Sequence, residues 1–544
     1  MVKNPKIILG GSFFVAWCFD FLFWNKAPGI SFFIFIFIVL SAGLVLAWRE
    51  GIKPAIGSLL LLIPILFFAV GTFVRKEPLT TVMNYLITLI LLAIFAHTFR
   101  KGRWINYGLG DYVTSFFSLL LAALSRPIVA IRKGKPESED HIGEGITKKS
   151  TWKGSLPYLR GLIIAIPILI LFTSLLASAD LVFAEYLNNF LGIFNLEDLS
   201  EYIFRGFYIV VMGYLIGGVY LHAFTNEKVE SLTLEEKSWL PRFLGFPESV
   251  TVLGSVELIF TLFVGVQIRY FFGGQANINL QGFTYAEYAR RGFGELIVVS
   301  VLSLILFLSL SSISKRENKF QKKVYSFLGV LLVFFLGVIL VSAYQRLLLY
   351  EEAYGFTRLR TSAHLFMLWL GLLLVAVVIL ELLGNQRAFV QGFLFTAIGF
   401  ILSLNLINVD GIIVNQNLKH ATSINSIGIK EDSGNSDGLD IDYLYSLSSD
   451  AVPALVSAEK NPDLSKNVKG ELAGILACHF VRIEDKKAKE NWQSFNYADF
   501  RAFRLMLENQ EYFRDVPTFT KNGLWWASVD GIDHACGVRY TGNE

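Results

Sequence analysis

With 544 residues, 53% hydrophobic and only 17% charged, the chain falls below the roughly one-quarter charged content of soluble domains. Its mean hydropathy is +0.51. A formal net charge of +3 gives no electrostatic footprint for a nucleic-acid partner.

Apolar runs of about twenty residues, the length that crosses the hydrocarbon core, recur along most of the chain. The first, Ile7–Trp24, follows Lys3 and Lys6, carries Asp20 and lacks a small-residue cleavage site, so it reads as a retained helix. Ile30–Ala47, Ala55–Val74 and Leu79–Phe95 follow. The run Tyr112–Ile131 contains Arg126 and Pro127, which leaves about thirteen clean apolar residues. That length suits an interfacial or re-entrant helix. Then come Gly161–Ser178, Tyr202–Ala223, Val250–Phe272, Phe293–Ser312, Tyr325–Tyr344, His364–Leu383 and Val390–Asn408. The expected fold is an all-α polytopic membrane protein of about eleven transmembrane helices with a small, mainly helical C-terminal extramembrane domain. It divides into a four-helix segment (1–104), an interfacial helix and cytoplasmic basic linker (105–160), a seven-helix core (161–408) and an extracytoplasmic domain (409–544).

Basic residues fix an orientation. Lys133, Lys135, Lys148, Lys149 and Lys153 crowd one connection, and Lys315–Lys323 is equally basic. Asp180, Glu185, Glu197, Asp198 and Glu201 crowd another. Basic stretches inside and acidic ones outside place the N-terminus inside and the C-terminus outside the membrane. Two outer connections then depart from the rule, FFGGQANINLQGFTYAEYARRGFGEL and YQRLLLYEEAYGFTRLRTSAHLF. With Arg269 just before the first, they carry Arg290, Arg291, Arg346, Arg358 and Arg360 and no lysine. Arginine's planar, permanently charged fork suits an anion held in fixed geometry, so Arg290, Arg291, Arg346, Arg358 and Arg360 are candidate anion ligands. Glu287, Glu295, Glu351, Glu352 and His364 are supporting residues. The bland alternative is that these acids and arginines pair with one another and tie two loops together.

Asp20, Asp180 and Glu257 are intramembrane acids, with Glu381 near an inner helix end; Glu257 is the best candidate for proton or ion handling. Gly213 and Gly217 permit close helix packing. In the C-terminal domain, helical patterns cover Ile441–Lys460 (with Pro453 near the middle), Lys469–Val481 and Tyr497–Gln510. Cys478 and Cys536, flanked by His479 and His534, form a disulfide, remain free thiols or join the histidines on zinc; adjacent Cys-His is an unusual ligand spacing. Trp525 and Trp526 serve either as headgroup anchors or in an ordinary core. No Walker loop, dinucleotide fingerprint, HExxH or CxxC is present, and no cofactor or resident metal is expected.

The two arginine loops, together with SLLASADLVFAEYL, NVDGIIVNQNL and LDIDYLYSLSSDAVPAL, resemble an uncharacterised family of bacterial membrane proteins, catalogued only as a domain of unknown function. The resemblance covers roughly Gly161 to Leu455 and implies a cytoplasmic-membrane location but no activity. The functional expectation is non-enzymatic binding, sensing or transport of an anionic envelope or lipid-linked ligand at the outer side, with partners among the lipid bilayer, an anionic lipid or envelope polymer, and a protein met by the C-terminal domain. The alternative is a membrane-embedded transferase acting on a lipid-linked substrate.

Overall fold

The structure, a computed structural model, describes residues 2–133, 196–225, 243–273, 293–385, 388–427 and 439–539. Gly161–Ser178, Asp180, Glu287, Arg290 and Arg291 lie outside the described residues, as do the side chain of Arg269 and most of the basic linker.

Apolar runs become helices because a backbone in lipid must satisfy its own polar groups. The chain opens with α1 (Pro5–Phe23), α2 (Ile30–Arg49), the short α3 (Ile56–Leu59) continuing into α4 (Leu62–Val74), and α5 (Pro78–Thr98). Pro78 starts α5 where no amide is required, and the Glu77 carboxylate accepts from the Leu79 and Thr80 amides. Next come α6 (Leu109–Lys133), α7 (Leu196–Phe224), α8 (Phe246–Gly273), α9 (Phe293–Ile313), α10 (Lys319–Tyr354), α11 (Arg358–Leu382) and α12 (Phe389–Leu406). Eleven helices among the described residues are long and apolar enough to cross a membrane, with α3 and α4 counted as one. This multi-pass count equals the expected one, but its membership differs. By length and composition it includes Gly110–Ala130 of α6, the run read from the sequence as interfacial or re-entrant, while Gly161–Ser178 lies outside the described residues.

The membrane body has two apolar cores. One is built from α1, α2, α4, α5 and α7 with Leu394 and Ile401 of α12. The other is built from α8, α9, α10 and α11 with Phe389 of α12. Helix α12 thus belongs to both, and Asn84 of α5 and Asn405 of α12 exchange two amide hydrogen bonds of 2.9 and 2.7 Å. Such a pair is worth forming where no water competes. Helices α1 and α7 pack antiparallel and closely, since a Cβ on Gly213 or Gly217 would meet Phe13 at 2.4 Å or Leu9 at 2.8 Å.

Beyond α12, α13 (Val409–Ile427) leads into a tail domain of α14 (Ile441–Tyr445), α15 (Val452–Glu459), α16 (Lys466–Lys489), α17 (Tyr497–Glu508) and strands β1 (Thr518–Lys521), β2 (Leu524–Val529) and β3 (Ile532–Val538). The patterned stretch Ile441–Lys460 divides in two, because Pro453 lies in the first turn of α15 instead of at a helix middle. The three strands form an antiparallel meander in the order β1-β2-β3. Its two-residue turns are Asn522-Gly523 (φ 53° and 73°) and Asp530-Gly531 (φ 50° and 83°), the left-handed geometry that these pairs favour. Trp525 packs against the tail core and donates to Asp485 at 3.2 Å, so it fills the core role of the two considered.

Candidate functional site

One face of the helical body carries the α1–α2 connection, the α4–α5 connection, the α10–α11 connection and the end of α12. The tail domain sits on that face through three sets of contacts.

The first involves the expected arginine loop. Gly355, at φ 72°, ends α10 and Arg358 opens α11. Arg358 Nε and Nη2 each donate at 2.7 Å to the two oxygens of Asp410, whose side chain is fully buried at the start of α13. Asp410 also accepts the Ser448 amide at 2.8 Å, and the Arg358 amide donates to the Tyr443 hydroxyl at 2.6 Å. The Asn417 amide group holds both the N–H and the carbonyl of Phe356, at 2.6 and 2.9 Å. The fork geometry of Arg358 is therefore spent on a carboxylate of its own chain.

The second set joins the α4–α5 connection to the tail. Asp450 accepts the amides of Lys76 (2.6 Å) and Glu77 (3.0 Å) and pairs with Arg75 at 3.5 Å. Burial pushes the Asp450 carboxyl above the usual range, with these donors and Arg75 pulling the other way. Asp499, in the first turn of α17, lies between Lys76 (3.3 Å) and Lys486 (2.7 Å) and accepts from the Ser449 hydroxyl at 2.5 Å. Burial works against its charge, but the two ammonium groups and the hydroxyl outweigh it and hold the carboxyl at about 2. The third set is made by backbone: Ser494 Oγ donates to the Ala27 carbonyl at 2.7 Å and the Ile30 amide donates to the Phe495 carbonyl at 2.9 Å.

The other predicted residues fall in different places. Arg360 meets neutral groups, the carbonyls of Tyr354 (3.1 Å) and Gly355 and the Tyr350 ring face at 3.9 Å. Glu351 is buried and bonded to His364 at 2.6 Å. Glu352 is exposed, and its carbonyl faces His420 at 2.7 Å. Glu295 is exposed in the first turn of α9, and Arg346 lies on the last turns of α10. Within the second loop, Arg358 takes Asp410 and Glu351 takes a histidine; Glu287, Arg290 and Arg291 of the first loop lie outside the described residues.

Asp20 is held by Arg205 (3.0 and 2.5 Å) and the Tyr208 hydroxyl (2.5 Å) of α7. Glu381 pairs with Arg316 at 3.3 Å. Glu257 is 5% exposed on the buried stripe of α8, and its Oε1 has no hydrogen-bond partner among the described residues. Cys478 of α16 and Cys536 of β3 form a disulfide across 58 positions, with Cα atoms 5.0 Å apart. Their histidines do not converge on a common point. His479 accepts from Arg482 at 2.9 Å, and His534 stacks on Tyr445 at 4.8 Å.

Sequence reasoning passed over Asp410, Asp450 and Asp499 as partners, along with Arg75, Lys76 and Arg205. Arg75, Lys76 and Asp450 lie in connections between helices and Asp499 in the first turn of α17, where no local pattern names their partners.

A family model described as "Domain of unknown function (DUF4153)" matches residues 62–458. No curated protein and no solved structure matches the chain. The matched stretch begins at the start of α4 and ends in α15, reaching further toward the N-terminus than the segments quoted from the sequence. Arg75, Arg358, Asp410 and Asp450 fall inside it; Asp499 and the disulfide lie beyond. The chain belongs to this family.

Proposed function

We propose that this member of the DUF4153 family is a non-enzymatic protein of the bacterial cytoplasmic membrane that receives an anionic envelope or lipid-linked ligand on its outer side. The N-terminus is inside and the tail domain outside. In this reading the tail domain is the receiving module and the charged joint beneath it couples ligand binding to the helices. The observation that carries the reading is the joint itself. Asp410 and Asp450, both at most 7% exposed, reach from the tail side to a guanidinium and to the backbone of two separate helix connections. A domain held in this way moves only with those connections.

Two features support the remaining parts. The Cys478–Cys536 disulfide suits an oxidising exterior. Arg360 keeps a charge balanced by neutral contacts alone among the described residues, which keeps it a candidate for the anion site.

The decisive experiment fuses to Glu544 a reporter active only outside the membrane and, separately, one active only inside. Outside activity is expected. Inside activity would turn the arginine loops into ordinary positive-inside loops and end the outer-ligand reading. With the orientation established, purified protein is expected to retain phosphatidylglycerol through detergent exchange, and Arg360→Gln to lose that retention without losing thermal stability. Equal retention by both proteins would remove Arg360 from the site.

A further inference from the structure

The tail domain displays a cluster of exposed aromatic side chains that its own packing does not use. Trp492 is 56% exposed, Phe495 38%, Tyr497 44% and Phe500 48%. Three of them are grouped, with the Phe500 ring 5.9 Å from Phe495 and 6.5 Å from Tyr497, and Trp492 lies three residues before Phe495 in the chain. The opposite face of α17 supplies what the tail core needs, burying Ala498, Ala502 and Met506.

The position of this cluster along the membrane normal is fixed by backbone. The Phe495 carbonyl accepts the amide of Ile30, the first residue of α2, and Ser494 is bonded to Ala27 in the connection before it. Phe37, about 10 Å further along α2 at 1.5 Å per residue, is 54% exposed on the apolar surface of that span. The aromatic cluster therefore lies at the end of the apolar span α2, the depth at which a membrane helix passes from hydrocarbon to headgroups. Tryptophan and tyrosine concentrate at that depth because their rings combine an apolar body with a polar edge. Arg501, exposed on the same helix, adds the positive charge that an interfacial helix uses toward phosphate headgroups, while Arg504 is paired with Glu508 at 3.3 Å.

We propose that Trp492, Phe495, Tyr497 and Phe500 form a lipid-binding surface that seats the tail domain in the headgroup layer of the adjacent leaflet. The tail is then held to the membrane twice, by the charged joint to the helices and by this patch to the lipid. The second attachment is independent of the ligand reading above and holds whichever side the tail occupies.

The test places a spin label at Trp492→Cys and at Phe500→Cys in full-length Cys18→Ala protein, reconstituted in phosphatidylethanolamine–phosphatidylglycerol vesicles. Phe37→Cys serves as the lipid reference, and Lys521→Cys, in the tail's sheet, as the water reference. Labels at 492 and 500 are expected to collide with oxygen several-fold more, relative to a water-soluble nickel chelate, than the label at 521, approaching the ratio at 37. A ratio equal to that at 521 would show a solvated patch and overturn the proposal. Shielding from both reagents would show a protein cover, from a second copy or another chain, and would overturn it equally.

Discussion

At the scale of single residues, charged groups in this chain are settled by partners distant in sequence. Asp410 is fully buried and accepts two hydrogen bonds from Arg358. Removing one member leaves the other charge without compensation, whereas removing both leaves a neutral site. Arg358→Gln and Asp410→Asn are each expected to cost about 2 kcal/mol in chemical or thermal unfolding. The double variant should cost clearly less than the sum. Arg360→Gln, whose contacts are neutral, should change the midpoint little. Additivity of the first two would show that they do not form a unit.

Glu459 behaves in the opposite sense to Asp499. It is buried, one carboxylate oxygen has no partner among the described residues, and burial pushes its carboxyl up to about 7, with Lys469 only partly opposing. Because the folded value exceeds the ordinary value of about 4.3, the folded state holds the proton more tightly than the unfolded one. Its contribution is intact below about pH 4 and declines as pH rises through about 7. Glu459→Gln should therefore raise the unfolding midpoint at pH 8 and leave it nearly unchanged at pH 4. A gain that is the same at both values would exclude ionisation as its cause.

Among the elements, close backbone approach decides where the tail can rest. A Cβ added at Gly29 would lie 2.5 Å from the Ser494 carbonyl carbon and 2.6 Å from the Phe495 oxygen, both backbone atoms that cannot rotate away. Gly29→Ala should push the tail off the α1–α2 connection and cost about 1–3 kcal/mol, in the range for overpacked sites. Gly10→Ala, with nothing within 4 Å of the added atom, is the control and should cost nothing. Equal midpoints for the two variants would mean that this contact is absent in the working protein. The same close approach joins α6 to α7, where a Cβ on Gly218 would meet the Ala123 carbonyl at 2.2 Å. That packing explains how the Tyr112–Ile131 run can be helical throughout despite Arg126 and Pro127. The missed meander is a different matter. Asn522-Gly523 and Asp530-Gly531 are strong hairpin signals that stand openly in the sequence beside alternating residues.

For the whole molecule, helix direction follows from pairs of contacts at opposite ends. Asp20, late in α1, meets Arg205, early in α7, while His97, late in α5, meets His222, late in α7, at 3.0 Å. The face with Asp20 therefore carries the tail domain, and the face with the histidines is the other one. This relation holds without any statement of which compartment either face meets, so the reporter experiment at Glu544 assigns both together.

The sequence by itself determined that the chain is a polytopic all-α membrane protein with a small, polar C-terminal region, and nearly where the long apolar helices among the described residues lie; it left the pairing of Cys478 and Cys536 open. Those properties depend on short-range composition and length, since burial in lipid is enforced residue by residue along each run. Only the tertiary structure decided which carboxylate Arg358 meets, which carboxylates hold the tail, and which aromatics the tail leaves exposed. Those outcomes depend on groups hundreds of positions apart, such as Lys76 with Asp450 and Ala27 with Ser494. No local pattern encodes such meetings, because charge and aromatic character state what a side chain requires and leave open which distant element supplies it.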